Sequence, residues 1–328
     1  MTTARSHQID LSATPYYHCM TRCVRRAYLC GHNKETGKDY SYRKDWIVSR
    51  IKYLADIFAI HICAYAVMSN HYHLVLFVND TLASQWSEEE VQSRWGQIFP
   101  QDAKSLSSYS KKEAAYKVSL WRHRLMDISW FMRCLNEKIA RASNKEDETK
   151  GRFWEGRFKS QALLDEGAVL SAMAYVDLNP IRAKTAEALE TSDFTSIQER
   201  LQMLAKQLKQ KNAINKTQQP KHLMPLKTPH QHQMPKIGFA LKDYLDLVDS
   251  TGRVIREGKR GVIPQKVLPI LSRLNLNPKE WVNMVEHLQN RFSYAIGHSA
   301  KLLKFNCENR HYGPKGILYS KKYYFTVA

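Results

Sequence analysis

The sequence predicts an α+β fold with a smaller, mainly helical C-terminal part, and three observations predict it. Two stretches of strand composition, residues 61–68 and 71–78, are separated only by the turn dipeptide Ser69-Asn70, which makes them a tight strand pair. Ile47, Ile51, Leu54 and Phe58 recur at helical spacing, as do Ile128, Phe131, Met132, Leu135 and Ile139, so amphipathic helices are expected over 43–58 and after Asp127. Beyond a polar, Pro- and Gln-rich stretch, residues 241–248 and 278–292 again read as helical.

Taken in order, Tyr16-Tyr17-His18-Cys19-Met20-Thr21-Arg22-Cys23-Val24 follows Pro15 as a first strand, and a Gly/Asn/Lys loop over 31–38 leads to the first helix. Residues 81–126 are polar and helical in pieces, without recognisable chemistry. The stretch Lys150-Gly151-Arg152-Phe153-Trp154-Glu155-Gly156-Arg157-Phe158-Lys159-Ser160 interleaves basic and aromatic residues and enters a strand over 158–164. Asp165 is placed to cap a helix reaching about Leu178, which Asn179-Pro180 ends or bends. Residues 206–236 are expected as a basic linker, with 216–236 solvated and His222, His230 and His232 serving as linker polarity. The expected organisation is therefore a domain over 1–205 containing an insertion at 81–126, the linker, and a basic, mainly helical domain over 237–328.

Composition narrows the partners. The net charge is +19, and a globular chain this basic usually meets a polyanion. The 17 Tyr and 7 Trp would let unpaired bases stack while Lys and Arg pair with phosphates. Of six cysteines (Cys19, Cys23, Cys30, Cys63, Cys134 and Cys307) none forms a Cys-x-x-Cys pair, so neither a zinc site nor a disulfide framework is indicated. Scattered thiols and an N-terminal stretch without an apolar segment read as a reduced, cytoplasmic protein, and no run approaches the roughly 18 apolar residues of a membrane span.

The chemistry centres on His71-Tyr72-His73. Successive strand side chains alternate between faces, so His71 and His73 share one face, about 7 Å apart along the strand, and Tyr72 takes the other as a core residue. Two such imidazoles can converge on a metal ion or a phosphate; the plainer alternative is a pair of hydrogen-bonded core histidines. Tyr175 and Asn179 lie four apart before Pro180 and face the same way on their helix. Two neutral imidazoles and an amide oxygen can hold a divalent ion with positions open for phosphate oxygens, and tyrosine is a potential nucleophile toward a phosphodiester. By spacing alone, Tyr175 remains an ordinary helix tyrosine.

Four stretches in order resemble the REP-associated tyrosine transposases, a branch of the single-tyrosine HUH-endonuclease superfamily. They are residues 16–22, Met68-Ser69-Asn70-His71-Tyr72-His73-Leu74, residues 151–160, and Tyr175-Val176-Asp177-Leu178-Asn179-Pro180-Ile181-Arg182-Ala183, within about residues 10–200. The resemblance implies a ferredoxin-like (RRM-like) antiparallel sheet with helices packed on one face. It implies Tyr175 as nucleophile and His71, His73 and Asn179 as ligands of Mg²⁺ or Mn²⁺. It implies cutting and rejoining of single-stranded DNA beside short palindromic, REP-like hairpins through a 5′-phosphotyrosine link, by a monomer or homodimer associated with a bacterial nucleoid. Arg22, Arg152, Arg157, Lys159 and Arg182 are the candidate phosphate contacts, better evidence as a group than singly. The segment 81–126 and the part after 237 exceed the compact members of that family.

Two other classes stand beside this reading. A non-catalytic module could bind single-stranded DNA or RNA hairpins by stacking and charge alone. A metal-dependent hydrolase using His71 and His73 would ordinarily want carboxylate ligands, and none stands in the local strand.

Overall fold

Four strands build the sheet on which the molecule rests: β1 (Tyr16–Arg22), β2 (Ile60–Val67), β3 (His71–Val78) and β4 (Lys159–Leu163), with α1 (Arg43–Ile57) between the first two. The computed structural model describes residues 7–24, 29–32, 37–209, 218–227, 237–257, 264–309 and 315–325. These strands run antiparallel in the spatial order β2-β3-β1-β4. Strand order and direction are those of the expected ferredoxin-like core, and the fold is α+β.

The segment after β3 holds α2 (Asp80–Gln85), α3 (Glu88–Ile98), α4 (Pro100–Ser105) and α5 (Lys111–Leu125), and α6 (Ile128–Glu146) follows. Ser110 starts α5 with a reciprocal capping box to Glu113, and Asp127 caps α6 through Ser129 and Trp130. Trp95, Trp121 and Trp130 form a ring cluster that joins α3 and α5 to α6. One face of the sheet is covered by α1 and α6. Tyr72, on that face, donates its hydroxyl to Asn136 of α6 at 2.6 Å, and the Trp154 indole donates to the Asn136 carbonyl at 2.9 Å.

The opposite face, which carries the histidines, is covered by α7 (Glu166–Asp177), continued by α8 (Asn179–Arg182). Every residue of α7 from Gly167 to Asp177 is buried, which accounts for its apolar character all round. Leu178 bends the path as Asn179-Pro180 led one to expect, and the backbone bonds Leu178 to Ala174 and Arg182 to Leu178 keep the turn continuous.

The remaining elements are α9 (Ser196–Lys209), β5 (Leu226–Lys227), β6 (Ile237–Ala240), α10 (Leu241–Glu257), α11 (Leu268–Arg273), α12 (Trp281–Arg291), β7 (Ala295–Ile296), α13 (Ser299–Glu308) and α14 (Ile317–Tyr323). They make two departures from the expected picture. The sheet is mixed rather than wholly antiparallel, because β7 joins its edge parallel to β4, Ala162 opposite Ala295 and Leu163 opposite Ile296. Two residues carry no alternation by which a strand could be read.

The second departure lies in the expected solvated linker. Residues 218–227 are anchored instead: Leu223, Met224 and Leu226 are buried, and the Met224 amide donates to the Ile62 carbonyl at 2.7 Å. The apolar run Leu223-Met224-Pro225-Leu226 inside a polar stretch is the physical reason. His222 lies 3.3 Å from Asp56, whereas His230 and His232 fall outside the described residues.

Asp165 fastens the C-terminal elements to α7. Its Oδ1 caps α7 through the Ala168 amide and accepts the Tyr324 hydroxyl, both at 2.8 Å, while Oδ2 accepts the His298 amide at 2.8 Å. The Tyr324 ring approaches so closely that a Cβ on Gly167 would stand 3.1 Å from it. Asp165→Ala removes a cap and strands a buried hydroxyl, so it is expected to lower stability by about 2–4 kcal/mol, read as a fall in the urea midpoint by far-ultraviolet circular dichroism.

Candidate active site

The register of β1 decides which side chains meet. Arg22 lies opposite His71, Met20 opposite His73, and His18 opposite Val75 in β3; on the other side His18 lies opposite Gln161 and Met20 opposite Lys159 of β4. Paired residues share a face. His18, Met20, Arg22, His71, His73, Lys159 and Gln161 therefore all point toward α7.

Three imidazoles cluster there, and hydrogen bonds fix their roles. Gln161 Nε2 donates to the Phe292 carbonyl at 3.2 Å, leaving Oε1 to accept His18 Nδ1–H at 2.9 Å. His18 Nε2 stands 2.9 Å from His73 Nδ1. His71 Nδ1 stands 2.5 Å from Asn70 Oδ1, which can accept its Nδ1–H and leave the Nε2 lone pair available. Both nitrogens of His18 are thus engaged within the protein, while His71 and His73 each retain Nε2.

Burial holds all three neutral. His18 is pushed down to about 4 by burial. His71 is pushed down to about 4 by burial, then by the positive charges of Arg22 and Arg182. His73 is held well below its ordinary value by burial, then by His18 and His71. Neutral imidazoles are the form that binds metal.

Tyr175 of α7 completes the cluster. Its ring centroid lies 5.6 Å from that of His73 and 5.8 Å from that of His18, edge-on to both. The Arg182 guanidinium stacks on it, 4.1 Å from the centroid, and donates to the Glu286 carbonyl at 2.7 Å. The Tyr175 hydroxyl donates to Gln289 Oε1 at 3.0 Å. The tyrosine is 4% exposed.

Asn179, one turn beyond Tyr175, is buried, and its Nδ2 has no hydrogen-bond partner. An amide with an unpartnered nitrogen gains from a half-turn that puts its oxygen there instead, where a cation would supply the missing partner. By type, that amide and the two Nε2 lone pairs are the donors a divalent ion of oxygen and nitrogen preference takes. Among the described residues no three His, Cys, Asp or Glu side chains gather as a metal site, so an ion here would need the amide and the substrate's own oxygens. Asp177, the carboxylate nearest in sequence, is committed elsewhere, to Ser196, the Ile197 amide and Tyr244.

The cationic candidates separate. Arg22, Arg157 and Lys159 line a cleft of about 690 Å³ that reaches His18 and is also lined by Gln289 and Asn290 of α12. Arg22 Nε is buried there without a partner. Arg182 sits on the tyrosine. Arg152 is exposed on the loop before β4 and is not among the residues lining the cleft. His18, Gln161 and Gln289 had no role in the sequence reading; the alternation His18, Met20, Arg22 along β1 is the signal that would have put His18 with the other histidines once the pairing with β3 was known.

No protein-family model matches the sequence, and no curated protein matches it. Among solved structures the chain is similar to a REP-associated tyrosine transposase bound to a REP hairpin, at 11% identity and a TM-score of 0.36, over 65% of this chain and 93% of that one. No helix among the described residues is long and apolar enough to cross a membrane.

The neutral histidines give a pH signature. Below about pH 6.5 an unfolded chain protonates them, while the folded chain resists until about pH 4, so stability is full above 6.5 and falls as acid is added between those values. By pH 5 the loss is about 2 kcal/mol each for His18 and His71. Urea midpoints at pH 7.5 and pH 5 measure it, and His71→Gln should be markedly less acid-sensitive than the wild type.

Proposed function

We propose that this chain is a metal-dependent, single-tyrosine strand transferase acting on single-stranded DNA next to short palindromic hairpins. The observation that carries the reading is the Tyr175 ring set edge-on to His73 at 5.6 Å and beneath the Arg182 guanidinium at 4.1 Å. A phenol, imidazoles with free lone pairs and guanidinium groups make a site suited to a phosphodiester rather than to a neutral substrate.

His71, His73 and Asn179 would hold the ion, Mg²⁺ or Mn²⁺. Bound there, it would supply charge neutralisation for the phosphate and the departing oxygen. Arg22 and Arg182 would hold the phosphate from two sides, and Arg157 and Lys159 the strand leading to it. The Tyr175 oxygen attacks phosphorus: a Tyr–O–P bond forms, the P–O3′ bond breaks, and the phenolic proton is matched by the one gained at the freed 3′-hydroxyl. The 5′ end stays on Tyr175 until a second 3′-hydroxyl reverses the step. Gln289 must release the phenol for attack.

A second reading draws on one observation. Tyr175 is 4% exposed and its hydroxyl is occupied by Gln289, as suits a hairpin-binding module that performs no chemistry. A hydrolase is less favoured, because no cluster of carboxylates joins the histidines among the described residues.

A denaturing gel with 5′- and 3′-labelled single-stranded hairpins taken from DNA around the gene, with Mg²⁺ or Mn²⁺, separates these readings. The expected result is a protein-linked band that Tyr175→Phe loses without losing hairpin affinity and that His71→Ala also loses. Persistent cleavage by Tyr175→Phe would sink the assignment, and binding without any adduct would favour the module. Arg22→Ala is expected to weaken binding alike across hairpin sequences and to reduce the salt slope by about 1, measured by titration at several ionic strengths.

A further inference from the structure

We propose that His18 and Gln161 are positioning residues that hold His73 as its Nδ1–H tautomer, and thereby direct the His73 Nε2 lone pair into the site; this rests on the reading of His73 as a ligand given above. The Phe292 carbonyl can only accept, so the Gln161 amide must turn its nitrogen toward it, at 3.2 Å, and its oxygen toward His18. That oxygen can only accept, so His18 carries its proton on Nδ1, across 2.9 Å. A neutral His18 then offers a bare Nε2, and His73 must donate from Nδ1 across the next 2.9 Å. Each acceptor dictates the proton position of the group before it, and His73 is left with a lone pair on Nε2.

The reverse order fails at its origin. With His73 protonated on Nε2, its Nδ1 would accept from His18, Gln161 would have to donate to His18, and its oxygen would face the Phe292 carbonyl. The row is largely withdrawn from solvent, with His18, His73 and Gln161 2%, 1% and 6% exposed and only His18 and Gln161 edging the cleft. The arrangement also excludes His18 itself as a ligand despite its proximity, because both its nitrogens are spent. Orienting partners of this kind set the tautomer of metal-bound histidines generally. The anchoring carbonyl belongs to Phe292, the C-cap residue just after α12, so a residue far along the chain determines the chemistry of a histidine on β3.

The test uses the full-length protein with ¹⁵N-labelled histidine, without DNA. Long-range ¹H–¹⁵N correlation is expected to find wild-type His73 as the Nδ1–H tautomer, and a mixture of tautomers in His18→Phe. Mn²⁺ affinity, read by electron paramagnetic resonance of the free ion, is expected to fall about 10- to 100-fold in His18→Phe. It should recover in His18→Gln, whose Oε1 falls where Nε2 stood and accepts from His73. Should His18→Phe not fold, Gln161→Leu breaks the same row at its other end with the same expected mixing of tautomers and loss of affinity. Wild-type His73 protonated on Nε2 overturns the proposal. Wild type that binds Mn²⁺ with an affinity unchanged in His18→Phe overturns the positioning role alone. Wild type that binds no Mn²⁺ overturns this proposal and the metal reading together.

Discussion

The register of β1 against its two neighbours is the constraint on which the site depends. Because Met20 lies opposite His73 and Lys159, and His18 opposite Gln161, one face of three strands collects three histidines, a glutamine and two cationic side chains. A slip of one residue would send His18 and Arg22 to the α6 side and put Tyr17, Cys19 and Thr21 beneath α7. Several contacts hold the register against this. Tyr17 exchanges hydrogen bonds with the backbone of Asp10, Thr14 donates to the Leu163 carbonyl, and Tyr72 on the adjacent strand is held by Asn136. The strand end and the face opposite the histidines are thus pinned by groups outside the candidate site.

Burial then does electrostatic work on what the register collects. An imidazole in water titrates near neutrality; here desolvation keeps the group uncharged, with the guanidinium groups of Arg22 and Arg182 adding to the effect at His71. The same two cations that discourage a proton on the histidine would welcome a phosphate. Arg22 Nε and Asn179 Nδ2 are each buried without a partner, one a donor and the other an amide end whose identity is exchangeable. A site that binds an anion and a cation together would leave such atoms waiting in the free protein.

What the sequence disclosed follows the range of the interactions involved. Periodicity placed the strands at 61–68 and 71–78, found as Ile60–Val67 and His71–Val78, and cap chemistry placed Asp127 and Asp165 correctly at the starts of their helices. His71 and His73 were legible because a strand alternates, and the partnership of Tyr175 with them came through the family resemblance. Long-range pairing left no local trace. Nothing in the spacing of His18 says that β1 lies between β3 and β4, and nothing in Ala295-Ile296 marks it as a strand. Gln289 on α12 meets Tyr175 across an interval no periodicity spans. The apolar run at 223–226 was visible but was outweighed by the polar residues around it.

The parallel strand Ala295–Ile296 and the helix before it have a consequence for the order of synthesis. A ribosome delivers β1 to β4 and α7 first, and domains tend to fold as they emerge. At that stage Gln161 lacks the Phe292 carbonyl, Tyr175 lacks Gln289, and Arg182 lacks the Glu286 carbonyl. The fully buried α7 has one flank still in water. The nascent chain therefore carries its histidines and tyrosine before they are aligned, and alignment arrives only once translation has passed residue 296 and α12 has packed against α7. Messages cut short upstream of that point would yield a site whose register is set but whose side chains are not yet held.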